Sequence, residues 1–372
     1  MKIVLIGPVP PPLGGISVHI DRLCSILHDE GIDYVVYNEA KVSDSARHIH
    51  SITSFKRFMC KVLFIRGDLF HFHTIDRRLR MMLGLYALVG KKIMLTVHGD
   101  SLASQIDHSR FISRWLLIRS LKSIDYIASV SESTTQKLLD MGLDENKVRT
   151  LPAYIRPRVS QKDMVKIPSE VIGFMEDAEI VISANGYVRF YRNEDLYGLD
   201  LLIELMKELV CISHHIRLVF AVMGVPEQSI LERAYYDQLK DRIKGYGLEN
   251  HFYFYEVIDA PFYPILMKSH LFVRPTCTDG YGVSIAEALQ CSVPSIASDV
   301  CERPQGTIEF QSRNSKDLFA KVMHVLNHYE ACKRDAGNVR MEDYGPKLIE
   351  IYRQITGKEG KNRGAVKWGY GK

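Results

Sequence analysis

Asp279 and Glu287, eight positions apart, bracket a glycine-punctuated turn in the stretch RPTCTDGYGVSIAEALQCSVPSIAS, Arg274 to Ser298. The turn, Asp279-Gly280-Tyr281-Gly282, follows an apolar run from Leu271 to Pro275 that reads as the end of a buried parallel strand. A short helix signal, Val283 to Gln290, comes next, and Pro294 opens another strand-like run. Unpaired N–H groups at a helix N-terminus point at such a turn and the helix dipole adds positive potential, so the stretch could hold an anion. Carboxylates on either side could grip hydroxyls flanking a bound diphosphate, which is the chemistry a nucleotide sugar requires. For these residues alone the plain alternative is an ordinary strand–turn–helix with a solvated Glu.

The elements that must carry this stretch repeat along the chain. Lys2 to Gly7 reads as a buried strand, Pro8 to Gly15 as a Pro/Gly loop, and Ile16 to His28 as a helix, an opening typical of a doubly wound α/β domain. No G-x-G-x-x-G follows that strand, which removes support for a dehydrogenase. Gly14-Gly15 before the helix could still let backbone approach a phosphate. Strand candidates continue at Tyr34 to Asn38, Leu69 to His73, Lys92 to Gly99 and Tyr126 to Ser131. A second series runs through Glu179 to Gly186, Arg217 to Gly224, His251 to Val257 and Leu271 to Pro275, with Leu199 to Val210 the clearest helix. Two Rossmann-like halves of similar size are expected, with a cleft between them and ligands beyond the carboxyl ends of the strands. The boundaries expected are 1–155, 156–340, a C-terminal helix in 341–357 packing back towards the N-terminal domain, and a flexible basic tail over 358–372.

Composition agrees with an ordinary globular protein: 372 residues, 46% hydrophobic, 25% charged, net charge +4. The seven cysteines are scattered without a C-x-x-C pair, which favours a reducing compartment over a disulfide framework or zinc site. The apolar run at the N-terminus spans only about five residues, short of a signal peptide, and nothing approaches the ~18 to 20 apolar residues of a spanning helix. Three segments, Ser54 to Arg66, Arg77 to Lys92 and Arg110 to Lys122, are basic and apolar, with Phe111, Trp115, Leu116 and Leu117 beside Arg110, Arg114, Arg119 and Lys122. Such helices suit an anionic bilayer surface. Nucleic acid is not expected, because no recognised motif accompanies the charge. His71 and His73 on one strand are expected to face opposite ways, leaving no joint metal role.

Taken in order, PPLGGISVHI, LTVHGD, IDYIASVSESTTQKLLDMG, NGYVR…YGLDLLIELM, the Met223-Gly224-Val225-Pro226 turn and the DGYGVSIAEALQCSVPSIAS block resemble the GT-B glycosyltransferases of the retaining family 4 type. The resemblance implies two Rossmann-like domains facing across a cleft, and sugar transfer from a nucleotide diphosphate sugar. The acceptor would be a saccharide, lipid-linked given the basic apolar patches, in cell-surface polysaccharide or glycan assembly. It implies no metal and no cofactor, in line with the absence of an Asp-x-Asp motif. By the same resemblance Asp279 stands at the first Glu of the family's Glu-x7-Glu and would bond sugar hydroxyls, while Glu287 would hold the ribose. The amides of Gly280, Tyr281, Gly282 and Val283 would receive the diphosphate, Gly14, Gly15 and Gly186 would lie at the donor, and His98 would sit near the sugar. Arg189 or Arg192 would fill the family's Arg role, but the position of its Lys holds Tyr197, and Cys291 replaces a glycine. Tyr197 and the shorter acid Asp279 keep open a degenerate GT-B scaffold, and a GT-B phosphorylase or epimerase is a rival within enzymes. The expected location is cytoplasmic, peripheral at the inner face of the cell membrane.

Overall fold

The computed structural model describes residues 1–358 except Lys41, Asp100, residues 159–160 and Asp259. Beyond Lys358 the stretch expected to form a flexible basic tail lies outside the described residues. The chain divides into two compact units, one comprising Met1–Val9, Ile16–Ile155 and the segment from Tyr344, the other Pro10–Gly15 and Arg156–Asp343.

In the first unit, β1 (Lys2–Gly7), β2 (Asp33–Asn38), β3 (Ile49–Ser51), β4 (Leu69–Phe72), β5 (Ile93–Val97), β6 (Tyr126–Ser129) and β7 (Val148–Thr150) form one sheet. Its order is β3-β2-β1-β4-β5-β6-β7, with every pair parallel. Helices cover both faces, so β1, β4 and β5 are buried almost throughout and read as continuous apolar runs. The helix Gly345–Thr356 belongs to this unit and buries Leu348, Ile349 and Tyr352 beside Ile3, Leu5 and Leu23.

In the second unit, β8 (Ile180–Tyr187) leads into a small hairpin, β9 (Phe190–Tyr191) and β10 (Glu194–Asp195). β11 (Ile216–Met223), β12 (Phe252–Val257), β13 (Leu271–Arg274), β14 (Ser295–Ser298) and β15 (Ile308–Phe310) complete a parallel sheet ordered β12-β11-β8-β13-β14-β15. The ten strands expected from sequence are present to within a residue or two at their ends. The three-residue edge strands β3, β7 and β15 and the β9–β10 hairpin were not foreseen, because so short a run carries no periodicity of its own.

Winding reverses between β1 and β4 in one sheet and between β8 and β13 in the other. A doubly wound sheet opens a crevice at such switch points, beyond the carboxyl ends of the two strands. In the second unit that point is built tightly. Gly198 caps the helix Leu199–Val210 in a left-handed conformation, φ 66°, and a Cβ there would lie 2.4 Å from the carbonyl oxygen of Pro275. Asp195 satisfies the same helix start, accepting from the amides of Tyr197 and Gly198 at 3.1 Å and Asp200 at 3.2 Å. Burial pushes its carboxyl up to about 6, with the charge of Asp200 adding to the effect. Replacing Gly198 by Ala combines backbone strain with overpacking and should cost at least about 2 kcal/mol. An unchanged urea midpoint for Gly198→Ala would show that this contact is not rigid.

Candidate functional site

β13 ends at Arg274, and the chain turns through Pro275 to Gly282 into the helix Val283–Gln290. Gly282, the N-cap, sits at φ 82°, where a side chain is strained; a Cβ would also meet Ile285 Cδ1 at 2.6 Å and Arg303 Nη1 at 3.2 Å. Gly280, Tyr281, Gly282 and Val283 therefore occupy the turn and first helical position, as the sequence pattern requires. Glu287 lies in the helix's second turn and is only 5% exposed. At the neighbouring strand end, Asn185 of β8 donates from its amide to Ser284 Oγ at 3.0 Å. The ring of Tyr197 packs directly on Gly186, where a Cβ would fall 2.2 Å from Tyr197 Cδ1.

Asp279 is held by two arginines that sequence reasoning did not single out. Its Oδ2 accepts from Arg274 Nε at 2.5 Å and Arg303 Nη1 at 2.9 Å, and its Oδ1 accepts from Arg274 Nη2 at 3.2 Å and the Gly280 amide at 3.0 Å. Burial alone would raise the Asp279 carboxyl, but the two guanidinium groups outweigh it and hold the group well below the usual carboxylate range. Burial likewise disfavours the charge on Arg274, and Asp279 reverses that. Arg274 stands five residues before Asp279, at the end of an apolar strand. Arg303 comes 24 residues after Asp279, a separation no local pattern exposes.

Of the arginines expected to serve the anion, Arg189 acts on the charge of Tyr197 together with Arg274 and Asp279. Arg189 is half exposed, 3.8 Å from Glu232 Oε1, with its guanidinium over the Tyr187 ring. Arg192 occupies the β9–β10 turn at φ 50° and stacks on Tyr191. The geometry does not join either one to Asp279. Tyr187 also donates its hydroxyl to the carbonyl of Leu13, so the loop that ends in Gly14 and Gly15 is fastened to this unit.

In the first unit, four histidines meet around the carboxyl ends of β4 and β5: His71 in β4, His73 and His98 just after the two strands, and His19 on the first helix. The expectation for His71 and His73 is overturned: positions two apart on a strand share a face, and their ring centroids lie 4.0 Å apart. His71 is satisfied by Tyr352 Oη at Nδ1 and by Thr96 Oγ1 at Nε2, 2.7 Å away. His19 donates from Nδ1 to the Ala153 carbonyl at 2.8 Å, and His73 Nδ1 lies 3.0 Å from His98 Nε2. Nε2 of His19 and of His73 are buried without a hydrogen-bond partner among the described residues. Gly7 permits this crowding, since a Cβ there would strike Ile20 Cδ1 at 2.7 Å and His73 Cβ at 3.0 Å. Burial depresses all four: His19 falls to about 4, and His71, His73 and His98 lie well below the ordinary value, with neighbouring positive charge lowering them further. His19, His73 and His98 present nitrogens within 4.8 Å of one another, a span that one metal ion could bridge, although the His73–His98 hydrogen bond already engages one nitrogen of each. Neutral imidazoles of this kind can donate or accept hydrogen bonds to a polyol without adding charge.

Two family descriptions match the chain: "Glycosyltransferase Family 4" over residues 13–157 and "Glycosyl transferases group 1" over residues 187–335. HepE of Anabaena, solved with UDP and glucose, superposes with a TM-score of 0.68 at 14% identity, covering 96% of this chain and 98% of that one. A glycosyltransferase from Rickettsia africae gives 0.68 at 14% identity, covering 97% and 99%. Among curated proteins, the phosphatidylinositol N-acetylglucosaminyltransferase gpi3 subunit of Schizosaccharomyces pombe is 23% identical over 72% of this chain and 54% of its own length. A phosphatidylinositol N-acetylglucosaminyltransferase polypeptide of Arabidopsis thaliana is 23% identical over 58% of this chain and 44% of its own length. The chain thus spans about half the length of the curated relatives it matches.

The buried histidines set a sign for acid sensitivity. A group whose folded pKa is depressed contributes stability above its unfolded value, near 6.5, that is lost as pH falls towards the folded value. For His19 that window runs from about 6.5 down to about 4. Within that window His19 should remove up to about 1.4 kcal/mol per pH unit, and His71, His73 and His98 act in the same direction. Urea unfolding followed between pH 7 and pH 4.5 should show stability declining throughout; a flat profile contradicts neutral, buried rings.

Proposed function

Because the chain belongs to the GT-B glycosyltransferases of the family 4 type, we propose that it moves a sugar from a nucleoside diphosphate to an acceptor hydroxyl with retention at the anomeric carbon, the acceptor being a lipid-linked saccharide at a membrane surface. The observation that carries the donor reading is the Asp279–Gly282 turn opening the helix Val283–Gln290, with Glu287 buried in the next turn. The diphosphate lies against the amides of the turn, where helix dipole and N–H groups converge, and Glu287 receives the ribose hydroxyls. No side-chain nucleophile is needed. The bond from the anomeric carbon to the diphosphate oxygen breaks with its electron pair leaving on the diphosphate. The acceptor oxygen bonds the same face and its proton passes to that diphosphate. Stabilising the departing charge is then the main electrostatic task. His98, kept neutral, is assigned to hydrogen bonding with the transferred sugar.

Support for a lipid-borne acceptor comes from two sides. The curated relatives are named for transfer to phosphatidylinositol. In the first unit, the helix Phe111–Ser123 leaves Phe111, Ile112, Trp115 and Leu116 exposed beside Arg114 and Arg119, and Phe64, Leu88 and Val89 are exposed as well. Within the basic segment Arg77 to Lys92, Arg80 is not at the surface: it is fully buried, bonded to Thr74 O, Gln105 Oε1 and Ser101 Oγ. Among the described residues no helix is long and apolar enough to cross a membrane. Tyr197 on Gly186 favours one other reading, a GT-B scaffold without catalysis.

UDP, GDP or one of their sugars should raise the melting temperature, and Glu287→Ala should weaken that nucleotide at least about tenfold, the loss of a charged hydrogen bond. No protection by any nucleotide would support the scaffold; full binding by Glu287→Ala would show that the ribose assignment is wrong. Changing Phe111 and Trp115 together to Ser should lower binding to phosphatidylglycerol-containing vesicles by about tenfold or more, from the lost apolar burial. Equal sedimentation of wild type and variant with such vesicles would remove the membrane reading.

A further inference from the structure

Asp279 has little capacity left for a sugar. A carboxylate offers about four lone-pair positions. Those of Asp279 are met by two bonds from Arg274, one from Arg303 and one from the Gly280 amide, and Thr276 Oγ1 lies a further 3.4 Å from Oδ2. We propose that Asp279 is a positioning residue that locks Arg274 in place, and that Arg274 is the cation that receives the donor's diphosphate. This inference rests on the donor reading given above and assigns the charge within it.

Arg303 is the anchor. Its side chain is 0% exposed, and besides Asp279 it donates to Ser298 O at 2.8 Å, Ser298 Oγ at 3.0 Å and Thr276 Oγ1 at 3.2 Å. So tied and closed off from solvent, it fixes the carboxylate. Arg274 is 13% exposed and differently placed. It gives Nε and one Nη2 hydrogen to Asp279 and one Nη1 hydrogen to Asn185 Oδ1 at 3.3 Å, so that among the described residues one N–H on each terminal nitrogen has no hydrogen-bond partner. Asn185 is bonded in turn to Ser284, second residue of the helix whose N-terminus forms the anion turn. The Tyr197 ring, 5.6 Å from the guanidinium centre, closes one side of Arg274.

Charge points the same way. Among the described residues Asp279 is the one carboxylate ion-paired with either arginine, so two cations, one of them fully buried, share one anion. A surplus positive charge beside a helix N-terminus is opposed by the helix dipole and by desolvation. An anionic ligand relieves both. A planar guanidinium held by its fork on a carboxylate is also preorganised, so little reorganisation opposes its action on charge that develops at a leaving diphosphate.

The test compares nucleoside, nucleoside diphosphate and nucleotide sugar binding to the full chain, by calorimetry with uridine, UDP and UDP-glucose and their guanosine–mannose counterparts. Arg274→Met should weaken the diphosphate at least tenfold while nucleoside affinity stays within about twofold. Arg274→Lys, which keeps charge but not the fork, should fall between and serves if the Met variant does not fold. Asp279→Asn should shift diphosphate and nucleotide sugar by the same factor, leaving their ratio unchanged. A loss confined to the nucleotide sugar in Asp279→Asn overturns the inference and returns Asp279 to the sugar. Diphosphate affinity unaffected by Arg274→Met or Arg274→Lys overturns the assignment alone, and failure of the unsubstituted protein to bind any of these ligands overturns the donor reading with it.

Discussion

A parallel strand covered by helices on both faces can present chemistry only where it ends, and this constraint organises both units. Side chains within β1, β4, β5, β8 and β13 are nearly all inside the two cores. The neighbouring strands whose connections run in opposite directions, β1 with β4 and β8 with β13, leave their carboxyl ends uncovered together. The histidine cluster, joined by His98 from the adjacent β5, and the Asp279 turn each lie at one of these two places or on the helix that begins there. The core does not take part in chemistry; it decides where chemistry can occur.

The two switch points carry opposite electrostatic characters. In the first unit, burial keeps His19, His71, His73 and His98 neutral, and their satisfied nitrogens are fixed by Ala153, Tyr352 and Thr96. In the second unit, Arg274 and Arg303 against Asp279 leave a surplus positive charge beside a helix N-terminus, a setting for an anion. Both are buried, where electrostatic and hydrogen-bonding choices carry more weight than on a solvated surface.

Strand and helix placement were legible because they rest on patterns that repeat locally. Continuous apolar runs marked the buried strands, glycine marked the turns, and 3.6-residue spacing marked helices such as Leu199–Val210. The glycine turn at Gly280 to Gly282 was legible for the same reason, since φ 82° at Gly282 is a requirement carried by one residue. The short edge strands escaped notice because three residues hold no period. Arg80, inside a basic apolar segment, is buried because its partners Gln105 and Ser101 come from another helix, which local spacing does not reveal.

Sequence alone therefore determined the doubly wound halves, the glycine turn with its two acids, and the ordered motifs that identify the family. These depend on backbone geometry and on neighbours within a few residues. What the acids do was decided only by tertiary structure. Asp279 meets Arg303 because β14 lies beside β13, and it meets Arg274 because the turn folds back on the strand end. The histidines converge because β4 and β5 are adjacent and Gly7 lets the first helix approach. Charge pairing and burial depend on distance in space, which spacing along the chain does not encode.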